Sequence, residues 1–162
     1  MNSRPLKLRL ARIAILLLTA MFFMTDRYLK GLAVNRAGEP ALDLLGNLFS
    51  FVYMPNAFIA FSLPLSGSIL SALIALIIAA LLIFLLRALK KGESPWLIFG
   101  WGLILAGALS NFYDRLGRGS VVDYLYLKHF TVFNLADVFI TLGILAVLIP
   151  AVGHKKSRPS QP

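Results

Sequence analysis

The sequence predicts an all-α membrane protein: four transmembrane helices, with a small β-containing platform outside the membrane between the first and second. Three observations predict it. Hydrophobic residues make up 59% of the 162 and charged residues only 14%, where an ordinary soluble domain has about 45–50% apolar and about 25% charged residues. The apolar residues gather into four runs flanked by basic residues. Between the first two runs lies a stretch punctuated by Pro40, Pro55 and Pro64 that contains LFSFVYM over residues 48–54, an aromatic and β-branched composition suited to short strands.

The chain begins MNSRPLKLRLAR, with Arg4, Lys7, Arg9 and Arg12 ahead of an apolar run. A basic start and a short apolar core also suit a cleaved leader, but no A-x-A-like site follows; Asp26, Arg27 and Lys30 come instead. Read as a helix over residues 13–34, the run has the roughly 20 residues that a bilayer core requires. Residues 35–68 form the platform, expected to lie on the bilayer, where Tyr53 and Asn56 either line a groove or anchor at the interface. Residues 69–86 are uncharged and make the second helix, closed by Arg87, Lys90 and Lys91. Ser94 and Pro95 mark the start of the third, a capping residue followed by proline in the first turn. It is expected over residues 95–110, and its Gly100, Gly102, Ala106, Gly107 and Ala108 allow close helix approach in lipid. A connecting loop over residues 111–129 leads to the fourth helix, residues 130–152, which ends at His154, Lys155, Lys156 and Arg158. The whole chain, 1–162, reads as one integral membrane domain.

Composition excludes several functions. With no cysteine there is no thiolate nucleophile, disulfide or cysteine metal site, and two histidines are too few for a histidine-rich one. The net charge of +9 is not expected to serve nucleic acid, because the bases cluster beside apolar runs, where they suit anionic lipid headgroups. Four helices put the three basic flanks on one side, the cytoplasmic side by the positive-inside rule. Both termini are then cytoplasmic, and the platform and the 111–129 loop share the outer face.

Three of the seven acidic residues fall within residues 110–140: Asp114, Asp123 and Asp137. Asp137 is the single charge in the run 130–152. A carboxylate near a helix centre costs roughly 2.5–3.5 kcal/mol on insertion scales, so such a residue points to function. It is expected about seven residues into the fourth helix, roughly 10 Å from its outer end. Asp26 falls at comparable depth, and its i,i+4 spacing to Lys30 suits a charge pair that lowers insertion cost. Asp123 is expected in the connecting loop, able to fold over the entrance. Two carboxylates brought together share a proton, which supplies a base for a water and an acid for a leaving amine. Asn134, three residues before Asp137, is expected on the same helix face, to orient the carboxylate or bind a peptide backbone.

The motifs resemble those of the prolipoprotein signal peptidases, also called signal peptidase II or lipoprotein signal peptidases. DRYLK, residues 26–30, is similar to the family's D-Q-x-x-K, and NAFIAF, residues 56–61, to N-x-G-A-A-F. GALSNFYDR, residues 107–115, resembles G-A-x-G-N-x-x-D-R, and VVDY, residues 121–124, resembles V-V-D-F. FNLAD, residues 133–137, matches F-N-x-A-D at every fixed position. The resemblance implies an inner-membrane aspartic endopeptidase that removes signal peptides from bacterial prolipoproteins carrying diacylglycerol, using two aspartates and a water with no metal or cofactor. Its implied partners are that precursor and membrane lipids, and the chain is expected to act as a monomer. Carried over, the catalytic pair is Asp123 and Asp137. Asp114 competes for the first place, but Arg115 beside it is expected to hold it ionised and structural. Asn56, Asn111, Arg115 and Asn134 would position substrate or the pair, and Asp26 and Lys30 would support the fold around it. Arg27, Phe58, Ile59, Ser110 and Tyr124 depart from the pattern, and the departures point to an altered groove and lid rather than an altered pair. Two rival readings are a small transporter or channel subunit whose acids relay protons or ions, and an inactive relative that binds lipoprotein precursors.

Overall fold

The computed structural model describes residues 4–46, 48–57 and 67–153. The platform departures Phe58 and Ile59, Pro64 and the basic tail 154–158 lie outside the described residues. In chain order the elements are α1 (Arg4–Asn35), β1 (Leu42–Leu45), β2 (Phe49–Asn56), α2 (Gly67–Lys91), α3 (Pro95–Arg118), β3 (Val121–Leu127), β4 (Thr131–Phe133) and α4 (Leu135–Gly153). Among the described residues, three helices are long and apolar enough to cross a membrane: α1, α2 and α3. The apolar part of α4, Leu135–Ile149, is shorter.

Several boundaries differ from those the sequence suggested. The first helix begins at Arg4 rather than near residue 13, because the Leu, Lys, Arg and Ala of its start all favour helix and nothing breaks the run. The third helix runs on to Arg118. Asn111, Asp114, Arg115 and Arg118 are therefore helical rather than in a loop. Polar residues continue the helix there because Gly107, Ser110, Asn111, Asp114 and Arg118 recur at spacings of three and four and share one face. The helix ends where Gly119 takes a left-handed conformation (φ 72°) and its N–H bonds to the Arg115 carbonyl oxygen. Its start is as expected: Pro95 is in the first turn and the Ser94 side chain accepts from the Leu97 N–H at 3.3 Å.

The expected loop between the third and fourth helices is instead half of the platform. Strands β1 to β4 form one antiparallel sheet in sequence order. Its central pair joins β2, which follows α1, to β3, which follows α3, with Asn56 opposite Val121 and Met54 opposite Asp123. The signal was present in VVDYLYL, where β-branched and aromatic residues alternate with others. Val121, Val122, Asp123 and Tyr124 are all buried, and Val122 and Tyr124 pack with Ala33 at the end of α1, with Phe51 and Tyr53 at the edge of the cluster. Tyr53 thus serves packing. The β3–β4 turn passes through His129 at φ 63°. The fourth helix accordingly starts at Leu135, five residues later than expected.

Glycines set how closely α3 and α4 approach. A Cβ at Gly107 would run into the Ala136 carbonyl oxygen and the Ile140 side chain, and one at Gly143 would lie 2.7 Å from the Gly100 carbonyl oxygen. Gly102 is similarly closed by Thr19 of α1. At the opposite end from the sheet, Arg12 of α1 lies against Gly92 in the α2–α3 turn, so two of the basic flanks sit together. Gly107→Val is expected to lower stability by roughly 1–3 kcal/mol, as overpacking does. Gly117→Ala, with open space at its Cβ, is expected to be neutral or slightly stabilising. Thermal unfolding of both variants in detergent checks the contrast.

Candidate active site

The first turn of α4 is built around Asn134 and Asp137. Asn134 caps the helix: its Oδ1 accepts the Asp137 N–H at 3.0 Å, while Asp137 Oδ2 accepts the Asn134 N–H at 3.2 Å. This is a reciprocal capping box. It corrects two expectations. Asp137 lies in the first turn, not seven residues deep, because the residues before it went into β4. Asn134 precedes the helix rather than sharing a face with Asp137. Position also offsets part of the cost of the charge, since the positive end of the helix dipole favours a carboxylate there.

Asn134 also reaches the second aspartate. Its Nδ2 donates to Asp123 Oδ1 at 2.6 Å, and Asn56 Nδ2 donates to Asp123 Oδ2 at 3.0 Å. Asn134 therefore holds both aspartates: its side-chain nitrogen donates to the Asp123 carboxylate, its side-chain oxygen accepts the Asp137 backbone N–H, and its own backbone N–H donates to the Asp137 carboxylate. Asp123 is on β3, not in a loop, and the antiparallel register with β2 brings Asn56 beside it. Burial pushes its carboxyl up to about 6; the Asn56 bond opposes this, the charge of Asp137 adds to it, and the Asn134 bond opposes it.

Behind Asp137 lies a network of buried charge. Lys30 Nζ sits 3.1 Å from Asp26 Oδ2, 2.9 Å from Asp114 Oδ2 and 2.6 Å from Asn111 Oδ1. An ammonium has three donors and no acceptor, so these partners saturate it. They also fix the Asn111 amide: its oxygen faces Lys30, and its Nδ2 donates to Asp137 Oδ1 at 2.8 Å. The Asp26–Lys30 pair is thus more than an i,i+4 charge pair, since it reaches α3 and, through Asn111, α4. Asp114 takes Arg27 at 2.6 Å, Lys30, Arg118 at 3.5 Å and the Val122 N–H at 3.3 Å. Arg27, Lys30 and Arg118 all lie within ion-pair distance of it. The Arg115 guanidinium lies in the field of Asp137, Asp123 and Asp114.

Three of the residues that depart from the resembled pattern fall in this network rather than in a groove. Arg27 pairs with Asp114, donates to the Ser110 carbonyl at 3.3 Å and stacks over Tyr113 at 4.4 Å. Ser110 Oγ donates to Asp26 Oδ2 at 2.6 Å, and the Tyr124 hydroxyl donates to Asp26 Oδ1 at 2.9 Å. Sequence reasoning missed these roles because partners 84 and 98 residues apart leave no local signal. A groove of about 360 Å³ opens between Phe130, Phe133, Val138 and Leu142, with Asp137 in its wall.

The family model for signal peptidase (SPase) II matches residues 18–152. The chain belongs to the signal peptidase II family. The lipoprotein signal peptidase of Pseudomonas aeruginosa strain UCBPP-PA14 is 35% identical over 159 residues, spanning 92% of this chain and 94% of the relative. That of Nostoc punctiforme is 42% identical over 115 residues, 67% of this chain and 69% of the relative. Two solved bacterial membrane enzymes share the fold. One, determined in meso at 2.3 Å, has a TM-score of 0.75 at 20% identity over 92% of this chain and 93% of its own. The other, at 1.9 Å, has a TM-score of 0.70 at 24% identity over 85% and 92%.

For this signal peptidase II family member, Lys30→Met is expected to cost about 3–5 kcal/mol, the loss on breaking one partner of a buried ion group, because Asp26 and Asp114 stay buried. Arg118→Ala, at the half-exposed edge of the same group, is expected to cost under about 1 kcal/mol. Denaturant unfolding separates them. Asp123 has a pH signature. Its folded carboxyl stays protonated up to about 6, from an ordinary value of 3.8. Between those values the folded state holds the extra proton, so this group's contribution to stability falls as pH rises. The stability of the native protein minus that of Asp123→Asn is expected to fall across that window.

Proposed function

We propose that the chain is an intramembrane aspartic endopeptidase that removes signal peptides from diacylglyceryl-modified bacterial prolipoproteins, with Asp123 and Asp137 as its catalytic pair. The observation that carries this reading is the Asn134 amide, which ties both aspartates into one constellation beside an apolar groove. The relatives named lipoprotein signal peptidase support the substrate class. Asp114 is the weaker candidate: it is fully buried and its oxygens are occupied by Arg27, Lys30, Arg118 and the Val122 N–H.

The chemistry is water addition to a peptide carbonyl. One carboxylate of the pair takes a proton from water as the oxygen attacks the carbonyl carbon. The other, protonated, gives its proton to the leaving nitrogen as the C–N bond breaks. An Asp123 carboxyl raised to about 6 keeps a proton exchangeable near neutral pH, where acid–base catalysis is most effective. Asn56, Asn111 and Asn134 hold the carboxylates, and Arg115 lies within the field of both. Four helices span the bacterial inner membrane in this reading, α4 included, with both termini cytoplasmic and the sheet and aspartates at the outer face. The diacylglyceryl chains enter sideways along α4, by the groove lined by Phe133, Val138 and Leu142, and the peptide lies under the sheet. The protein works as a monomer, without metal or cofactor.

A gel-shift assay with a diacylglyceryl-modified precursor tests the proposal. The native protein is expected to cleave it and to leave the unlipidated precursor intact. Asp123→Asn and Asp137→Asn are each expected to lose about 10²–10⁴-fold or more in rate while remaining folded. Asp114→Asn is expected to lose stability before rate. Full activity in Asp123→Asn would move the assignment away from that residue.

A further inference from the structure

An α-helix begins with backbone N–H groups that have no partner within the helix. In α4 the first three are met by side chains from β3, from α1 and from the cap residue Asn134. The Leu135 N–H donates to the Tyr124 hydroxyl at 3.2 Å, the Ala136 N–H to Asp26 Oδ1 at 3.1 Å, and the Asp137 N–H to Asn134 Oδ1 at 3.0 Å. Tyr124 closes this set. Its hydroxyl accepts from Leu135 and donates to the same Asp26 oxygen that takes Ala136. Asp26 is fixed from its other side by Ser110 and Lys30.

Tyr124 is also the residue after Asp123 on β3, and Leu135 is two before Asp137. One rigid aromatic side chain thus spans the strand bearing one aspartate and the helix turn bearing the other. Its ring is fully buried and stands 5.5 Å from that of Phe51, so it has no room to swing. Burial and the Asp26 charge both push its phenol upward from its ordinary value, so the hydroxyl keeps its proton and remains a donor to Asp26.

We propose that Tyr124 is a positioning residue: acting through the Leu135 amide and Asp26, its hydroxyl sets the first turn of α4, and hence Asp137, against Asp123. This rests on the proposed catalytic pair. Without the hydroxyl, Asp26 loses a donor, the Leu135 N–H loses its side-chain partner, and the turn is free to shift. A misplacement of about 1 Å in a reacting group costs about 10²-fold in rate.

The test is Tyr124→Phe, which keeps the ring and removes one oxygen. Cleavage of the diacylglyceryl-modified precursor is expected to show kcat lowered roughly 10-fold or more, KM within about twofold, and a displaced pH profile, since a shifted Asp137 no longer perturbs Asp123 equally. Amide hydrogen exchange in detergent is expected to speed up at Leu135 and Ala136 and to stay unchanged in α2. Exchange needs no activity, so it decides the matter even if the native protein cleaves nothing, an outcome that would sink the proposed function alone. Unchanged exchange at those two amides overturns the proposal. So does an unaltered kcat and pH profile where the native protein cleaves and Asp137→Asn does not. Loss of the thermal transition in Tyr124→Phe also overturns it, because the hydroxyl then serves the fold as a whole.

Discussion

An ammonium buried between two carboxylates holds this site together. Lys30 is 1% exposed, and Asp26 and Asp114 are fully buried. Charges at that depth carry a desolvation penalty of several kcal/mol each, offset only where geometry and hydrogen bonds are complete. Here they are complete: Lys30 has three acceptors, Asp26 has three further donors, and Asp114 has two arginines and a backbone N–H. The group joins α1, α3, β3 and the start of α4. Fixing it fixes the Asn111 amide, and the Asn111 amide fixes one oxygen of Asp137.

From that anchor the aspartate pair follows by short steps. Asn111 holds Asp137 from the helix side, and Asn134 holds it from the cap. Asn134 and Asn56 hold Asp123 from the strand side. Each carboxylate thus meets amide donors, while Arg27, Lys30 and Arg118 pair directly with Asp26 and Asp114. Burial raises the Asp123 carboxyl to about 6, against the amide bonds that oppose the rise.

Much of this was legible in the sequence, for reasons particular residues make plain. The apolar runs gave α1 to α3 because their period and length are local properties, and Ser94 with Pro95 marked a helix start. Asp123, Asp137, Asn56, Asn111 and Asn134 were singled out and do converge. The strands β3 and β4 were missed because YLYLK reads equally as a loop until β2 is beside it. The end of α3 was missed because Asn111, Asp114 and Arg115 look like loop residues until Lys30 and Arg27 are there to meet them. The Ser110 and Tyr124 hydroxyls both reach Asp26, far away in sequence.

The claim on which all of this converges is that Asp123 and Asp137 behave as one interacting pair. Carbon-13 NMR titration of the side-chain carboxyls of the five aspartates in the detergent-solubilised protein tests it most directly. The expected result is an Asp123 midpoint near 6 that moves down when Asp137 is replaced by asparagine and its charge is removed. An Asp123 midpoint near the ordinary 3.8, unmoved by Asp137→Asn, would contradict it.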